Sequence, residues 1–400
     1  MSFVTRVGEE GEWSDAPEHW SFSTLTEVES CPLRYALRHA MYDGATQSAG
    51  QGYPDKVTEA ALVGTVIHAA VEQVLRALRH VADASDPFAA MTALRELGGY
   101  TKVIDRCVGI VEERLTSNPR MSARVPRLGA NLRRRTPEIR SAVQGLVARL
   151  PSASGSDQLP SQVQPTDATS SGRGPLPVGR HPEVRLRADT ERFKGQIDLL
   201  TVGQHAADIV DFKSGRYDDH HAQQILLYGV LWLLDNIANP AGLPVGTMTV
   251  AYAGGDTTVP HPLAWSVVEE DLRTRIAQAD ESISATPAAR LSDACAMCPV
   301  RHMCETYWAS DYPTIDGRTF VDAEAEILAR NGSMSWLARL TRTAERAMVR
   351  TTSEDFALTE ATTVRLMDVA CERQPADDGA ADVVVLTAVA SSEIFEVSAI

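Results

Sequence analysis

Asp211 and Lys213 stand two residues apart at the end of the apolar run "ADIVDFK", and Asp198 closes the run before it, "FKGQID". Side chains alternate along a strand, so an Asp-x-Lys pair projects to one face. Burying such charges is costly unless they are paired or bind an ion. If Asp198 reaches the same side, two carboxylates and an ammonium converge, and like charges held that close are strained unless a cation lies between them. Mg²⁺ suits such a position, because it prefers oxygen ligands and keeps several waters, one of which becomes a nucleophile when a lysine orients or deprotonates it beside a phosphodiester. Just beyond, Gln224 and Tyr228 sit at i and i+4 on one helix face. Taken singly, each signal has an ordinary reading: Asp-x-Lys as a surface salt bridge, Gln224 and Tyr228 as packing, and His68 as a satisfied helical histidine.

The second chemical constellation is "CAMCPVRHMC", which supplies Cys295, Cys298 and Cys304 in C-x₂-C-x₅-C spacing, one thiolate short of a four-coordinate site. Cys31 in "SCPLRY" can complete it. Zinc also takes four thiolates, although its ribbons usually pair two Cys-x₂-Cys knuckles and only one occurs here. His302 inside the loop is a further donor or a surface residue. Cys107 and Cys371 stand alone and read as buried small hydrophobes.

The elements needed to position these groups are legible in the pattern. Ser23 or Thr24 can cap a helix running into "SCPLRYALRHAMY", interrupted at Cys31 and Pro32. "TEAALVGTVIHAAVEQVLRALRHV" carries an apolar face of Leu62, Ile67, Val71, Val74, Leu75 and Leu78, and helical patterns continue to about Leu150. Positions 151–180 are Ser-, Pro- and Gly-rich and read as a flexible loop. "EVRLRAD", "FKGQIDLLTV" and "ADIVDFKSG" then form an antiparallel meander. A helix over about 219–236, a strand at "GTMTVAYAG" and a helix at "AWSVVEEDLRTRIAQADESISA" follow. Positions 322–350 read as helical, and "TTVRLMDVAC" and "ADVVVLTAVA" as strands of a small accessory unit. The expected fold is α/β (α+β), with a central mixed sheet flanked by helices.

These residues resemble the PD-(D/E)XK nucleases of the RecB-like branch, which include helicase-associated exonucleases and CRISPR-adaptation nucleases. "GTVIH" (Gly64 to His68) is similar to the family's Gly-x-x-x-His helix, "GQID" to its Gly-x-x-Asp strand, "DFKSG" to its acid-x-Lys strand and "QILLY" (Gln224 to Tyr228) to its Gln-x-x-x-Tyr helix. The resemblance implies a restriction-endonuclease-like core in which His68, Asp198, Asp211 and the carbonyl of Phe212 bind Mg²⁺ or Mn²⁺. It implies that Lys213 acts on the water, and that Gln224 and Tyr228 hold the site or the DNA backbone. Glu183 corresponds to an earlier acidic residue found in many members. By the same resemblance, Cys31, Cys295, Cys298 and Cys304 hold a structural 4Fe-4S cluster that fastens the two ends of the domain. In the chain-entropy picture used for disulfides, closing so long a loop is worth on the order of 5 kcal/mol.

The implied layout is a nuclease domain over 1–310, containing a helical insertion (46–150), the loop (151–180), the catalytic sheet and helix (181–260) and the cysteines (295–304). A C-terminal helix with a small acidic β unit occupies 311–400. The formal charge of −15 argues against bulk coating of nucleic acid, but it is uneven. Residues 351–400 hold ten acidic and two basic side chains, whereas 120–149 hold eight arginines, Arg133, Arg134 and Arg135 among them, against Glu138 alone. That strip is either a solvated helix face or a phosphate contact. The acidic tail suits a helicase or another repair or phage-defence subunit better than DNA. No run of eighteen apolar residues and no signal-peptide order occur, so the cytoplasm is the expected location, with no membrane partner. The expected activity is a divalent-metal-dependent DNA nuclease, an exonuclease by resemblance. The competing readings are a non-catalytic DNA- or helicase-binding module of the same fold and a zinc-stapled adaptor.

Overall fold

Helical and strand periods alternate along the chain much as the apolar spacing dictates. The computed structural model describes residues 13–42, 52–78, 87–149, 173–313, 319–351, 358–375 and 382–397. Most of the expected flexible loop, 151–172 of 151–180, lies outside them. The chain forms two compact units: Asp15–Glu29 with Asp55–Ala285, and Met1–Ser14 with Ser30–Pro54 and Thr286–Ile400. The cysteine loop falls in the same unit as the C-terminal strands, whereas the expected layout divides them near 310.

Two short helices open the described chain, α1 (Phe22–Ser30) and α2 (Pro32–His39). They are separated at Cys31, whose extended backbone and Pro32 at the first helical turn make it the N-cap of α2. The first unit's helical insertion comprises α3 (Glu59–Leu78), α4 (Pro87–Glu96), α5 (Gly99–Thr116), α6 (Val125–Arg134) and α7 (Thr136–Ala148). In α3, Leu62, Val63, Val66, Ile67, Ala70, Val71, Val74 and Leu75 recur at helical spacing and are buried. They pack against α5 and α7, each large aliphatic side chain contributing about 1.5–3 kcal/mol on burial. Among the described residues, α3 is also the one helix whose length and composition would suit a membrane span. Its place in this core accounts for that apolarity.

The first unit's sheet runs β1 (Gly179–Ala188), β2 (Phe193–Val202), β3 (Ala207–Lys213), then α8 (Asp219–Leu234), β4 (Val245–Tyr252), β5 (Gly255–Thr258) and α9 (Trp265–Ser284). Strand order is β1-β2-β3-β4-β5. The first three strands are the expected antiparallel meander. β3 and β4 are parallel, which requires the α8 crossover between them. Leu199, Val210, Phe212 and Ala251 join the sheet to the α3–α7 core, and α8 packs on β1 through β4. The result is the expected mixed α/β layer structure, a central sheet flanked by helices.

The other unit contains α10 (Glu305–Ala309) and β6 (Phe320–Arg330), β7 (Ser335–Leu340), β8 (Arg346–Arg350), β9 (Thr363–Gln374), β10 (Val383–Thr387) and β11 (Glu393–Val397). The sheet order is β10-β8-β7-β6-β9-β11, and β10 also pairs with β9, so five strands close into a ring with β11 attached to β9. The helix expected over 322–350 is thus corrected to three strands. Its Ala- and Glu-rich composition favours a helix, yet Val321, Ala323, Ala325 and Ile327 are buried alternately, as are Trp336, Ala338 and Leu340. Burial at period two outweighed local propensity.

Candidate active site

The β2–β3 ladder stops at Leu199–Val210, and beyond it β3 continues to Lys213 paired with β4 alone. Phe212 N–H, deprived of a strand partner, instead donates to Asp198 Oδ2 at 2.6 Å. Asp198 is thereby drawn to Asp211 at the point where the two strands part. Lys213 Nζ lies 2.9 Å from Asp211 Oδ2 and donates to Gln224 Oε1 at 2.7 Å. Gln224 Nε2 in turn donates to Tyr228 Oη at 2.7 Å. The i, i+4 pair on α8 is therefore one end of a fixed chain, Tyr228 to Gln224 to Lys213 to Asp211.

Two glycines allow this approach. A Cβ on Gly64 would lie 2.7 Å from Ser214 Oγ, just past β3, and one on Gly195 would lie 2.9 Å from Tyr228 Cε1. Gly64 brings α3 against the end of β3 and, one turn on, sets His68 Nδ1 3.6 Å from Asp198 Oδ2. Gly195 lets Tyr228 lie against β2.

Electrostatics follow from burial. Asp211 is 2% exposed, and desolvation, reinforced by the charge of Asp198, raises its pKa against the opposing pull of Lys213 and His68. Its Oδ2 pairs with the Lys213 ammonium at 2.9 Å and makes no hydrogen bond among the described residues. A buried carboxylate oxygen left in that state fits a hard cation. Burial alone would lower the His68 pKa; Asp198 outweighs it and the net shift is upward.

Glu183 is part of the same surroundings. Its backbone is left-handed, φ 55°, a costly conformation for a non-glycine residue and one that concentrates at functional sites. It accepts a hydrogen bond from Gln196. Burial raises its pKa, and Asp198 and Glu72 add to that rise. Sequence reasoning passed over Gln196 and Glu72; the latter stands at i+4 from His68, a spacing that could have found it. Even so, no three His, Cys, Asp or Glu side chains among the described residues are gathered as a ready ligand set. The expected ligands are neighbours, but Asp198 Oδ2 is engaged by the Phe212 N–H and Asp211 Oδ2 faces the Lys213 ammonium.

In the other unit, Cys31, Cys295, Cys298 and Cys304 line one cavity together with Leu33, Leu37 and Val300. Backbone N–H groups of Arg34 and Arg290 point at Cys31 Sγ (3.4 and 3.5 Å), and that of Ser292 at Cys295 Sγ (3.4 Å). Burial pushes the Cys298 thiol up to about 11 and raises that of Cys304, and Cys31 adds to both shifts. Such thiols stay protonated until a metal displaces the proton. His302, expected as a donor or a surface group, is instead buried: it shares a hydrogen bond with Tyr53 Oη (2.8 Å) and stacks on Phe395 at 3.8 Å.

The arginine strip is largely spoken for. Arg133 pairs with Asp105 and Glu112, and Arg135 with Glu138 and Glu59, which favours a solvated helix face.

A family model described as the PD-(D/E)XK nuclease superfamily matches residues 19–305. Comparison with curated proteins gives no match. A solved structure titled "Crystal structure of SSO0001" is 17% identical, with a TM-score of 0.21. The match covers 31% of this chain and 59% of that one, less than two thirds of its length. A likeness so slight carries no argument.

Proposed function

Because the chain belongs to the PD-(D/E)XK nuclease superfamily, we propose that it is a divalent-metal-dependent DNA nuclease of the RecB-like branch, acting as an exonuclease in DNA repair, recombination or phage defence. The observation that carries this reading is the buried Asp211 oxygen, which makes no hydrogen bond among the described residues and lies between Asp198 and the Lys213–Gln224–Tyr228 chain.

Asp198, Asp211, His68 and the Phe212 carbonyl would hold Mg²⁺ or Mn²⁺, which supplies charge to the scissile phosphate and acidifies a bound water. The rest falls to the protein. Gln224 fixes Lys213 Nζ between its own Oε1 and Asp211, where the ammonium can orient a water or neutralise a phosphate oxygen. Tyr228, held neutral because burial raises its pKa, donates or accepts without adding charge, and it fixes the Gln224 amide so that the oxygen faces Lys213. Asp198 is held against the backbone and stays in register with Asp211.

For the second site, the four-thiol cavity with backbone donors aimed at sulfur suits a 4Fe-4S cluster held by Cys31, Cys295, Cys298 and Cys304. Its role is structural. Thiolate-bound iron belongs in a reducing compartment, so the cytoplasm is the proposed location, and a helicase or similar subunit is the proposed partner that delivers strands.

The test is incubation with end-labelled single- and double-stranded DNA in Mg²⁺, Mn²⁺ or chelator. Cleavage should require the metal and fall at least a hundredfold in Asp211→Asn and Lys213→Ala while DNA binding persists, on the scale of about 10²–10⁴ for losing a positioned acid–base group. Undiminished cleavage by either variant would sink the assignment.

A further inference from the structure

Beside this site lies an aromatic group to which the proposed chemistry gives no role. Tyr217, in the turn between β3 and α8, is 60% exposed. Single exposed aromatics are ordinary, but this one is braced at both ends. Its hydroxyl donates to Asp219 Oδ1 at 2.9 Å, and its ring centroid lies 6.2 Å from that of Tyr252. Tyr252 is buried and stands opposite Lys213 in the parallel β3–β4 register. Its hydroxyl shares a 2.9 Å hydrogen bond with His221 Nδ1, whose ring lies 5.7 Å away. A rigid, solvent-facing ring is thus fixed next to the strand end that carries Lys213.

The neighbouring charges decide what meets that ring. Asp218 is occupied in capping α8, accepting His220 N–H at 2.9 Å, and Asp219 is occupied by the Tyr217 hydroxyl. The two carboxylates outnumber the adjacent exposed Arg216, which disfavours a phosphate group but leaves an uncharged base unaffected. Stacking on an aromatic face requires a base whose own face is open, and away from a duplex end that base must be unpaired.

We infer that Tyr217, braced by Tyr252 and His221, is a stacking platform for an unpaired nucleobase adjoining the scissile phosphate, so that the substrate enters as single-stranded DNA. This rests on the nuclease reading above. The experiment compares wild type, Tyr217→Phe and Tyr217→Ala on single-stranded oligonucleotides in which one abasic residue is moved through every position. Stacking is worth about 1–3 kcal/mol per base, or roughly a fivefold to hundredfold effect. Tyr217→Ala should raise KM by that factor on intact DNA, Tyr217→Phe should restore it, and at one abasic position the variants should become indistinguishable from wild type. A wild-type chain that neither binds nor cuts DNA removes both the nuclease reading and this subsite. A chain that cuts, yet shows the same Tyr217→Ala loss at every abasic position, removes the subsite alone.

Discussion

A carboxyl group kept out of water beside a second carboxylate resists ionisation, and Asp211 is in that position. Its raised pKa means that the folded chain holds this proton more tightly than the unfolded chain does. The stability it contributes is therefore present at low pH and lost as pH rises through the folded value. A divalent cation reverses the penalty by replacing the proton. The rise in Tm on adding Mg²⁺ should accordingly grow from about pH 6 to about pH 8 in a thermal melt, and that growth should be flattened in Asp211→Asn. A Mg²⁺ effect independent of pH would place the cation elsewhere.

Among the elements, α3 matters through its seat. The Cβ introduced by Gly64→Ala would press on the Ser214 hydroxyl, and any part of the clash that its rotation does not relieve moves the helix and draws His68 from Asp198. Misplacement on the order of 1 Å can cost about a hundredfold in rate. Cleavage by Gly64→Ala should fall by roughly that factor while helical circular dichroism is unchanged, and the double variant Gly64→Ala/Ser214→Gly should recover part of the loss. The elements around the site were legible because their signals are local: an apolar stripe for α3, period-two runs for β1 to β3, and fixed spacings for Gly-x-x-x-His and Gln-x-x-x-Tyr. What was illegible depended on partners distant in sequence. The strands over 322–350 contain good helix formers and become strands only because their alternate faces meet β9 and one another. His302 is buried against Tyr53 and Phe395, and Tyr217 gains meaning through Tyr252.

On the scale of the molecule, the unit holding the cysteines is tied together by buried charge. Arg301, within the cysteine loop, pairs with Asp322 at 2.6 Å and Asp368 at 2.7 Å, and Tyr307 Oη donates to the same Asp322 carboxylate. Arg365 on β9 donates to the carbonyl of His302 at 2.7 Å. The cysteine loop and the closed strand ring should therefore unfold together. Arg301→Met leaves Asp322 buried without its cation, a loss of about 3–5 kcal/mol for breaking such a pair. In a urea titration it should shift the transition of that unit. Protein purified without oxygen should at the same time lose iron in step with it, whereas zinc in place of iron in the wild type would overturn the cluster assignment.

That same unit is assembled from stretches on either side of the other one, with Cys31 roughly 260 residues ahead of Cys295. A ribosome moving at about 5–20 residues per second takes on the order of ten seconds to a minute to make that interval. Through it the early thiol waits without its partners while the intervening unit has time to fold. Birth order thus lets the nuclease core mature before the four thiols can meet, and the strands that complete their unit are made later still.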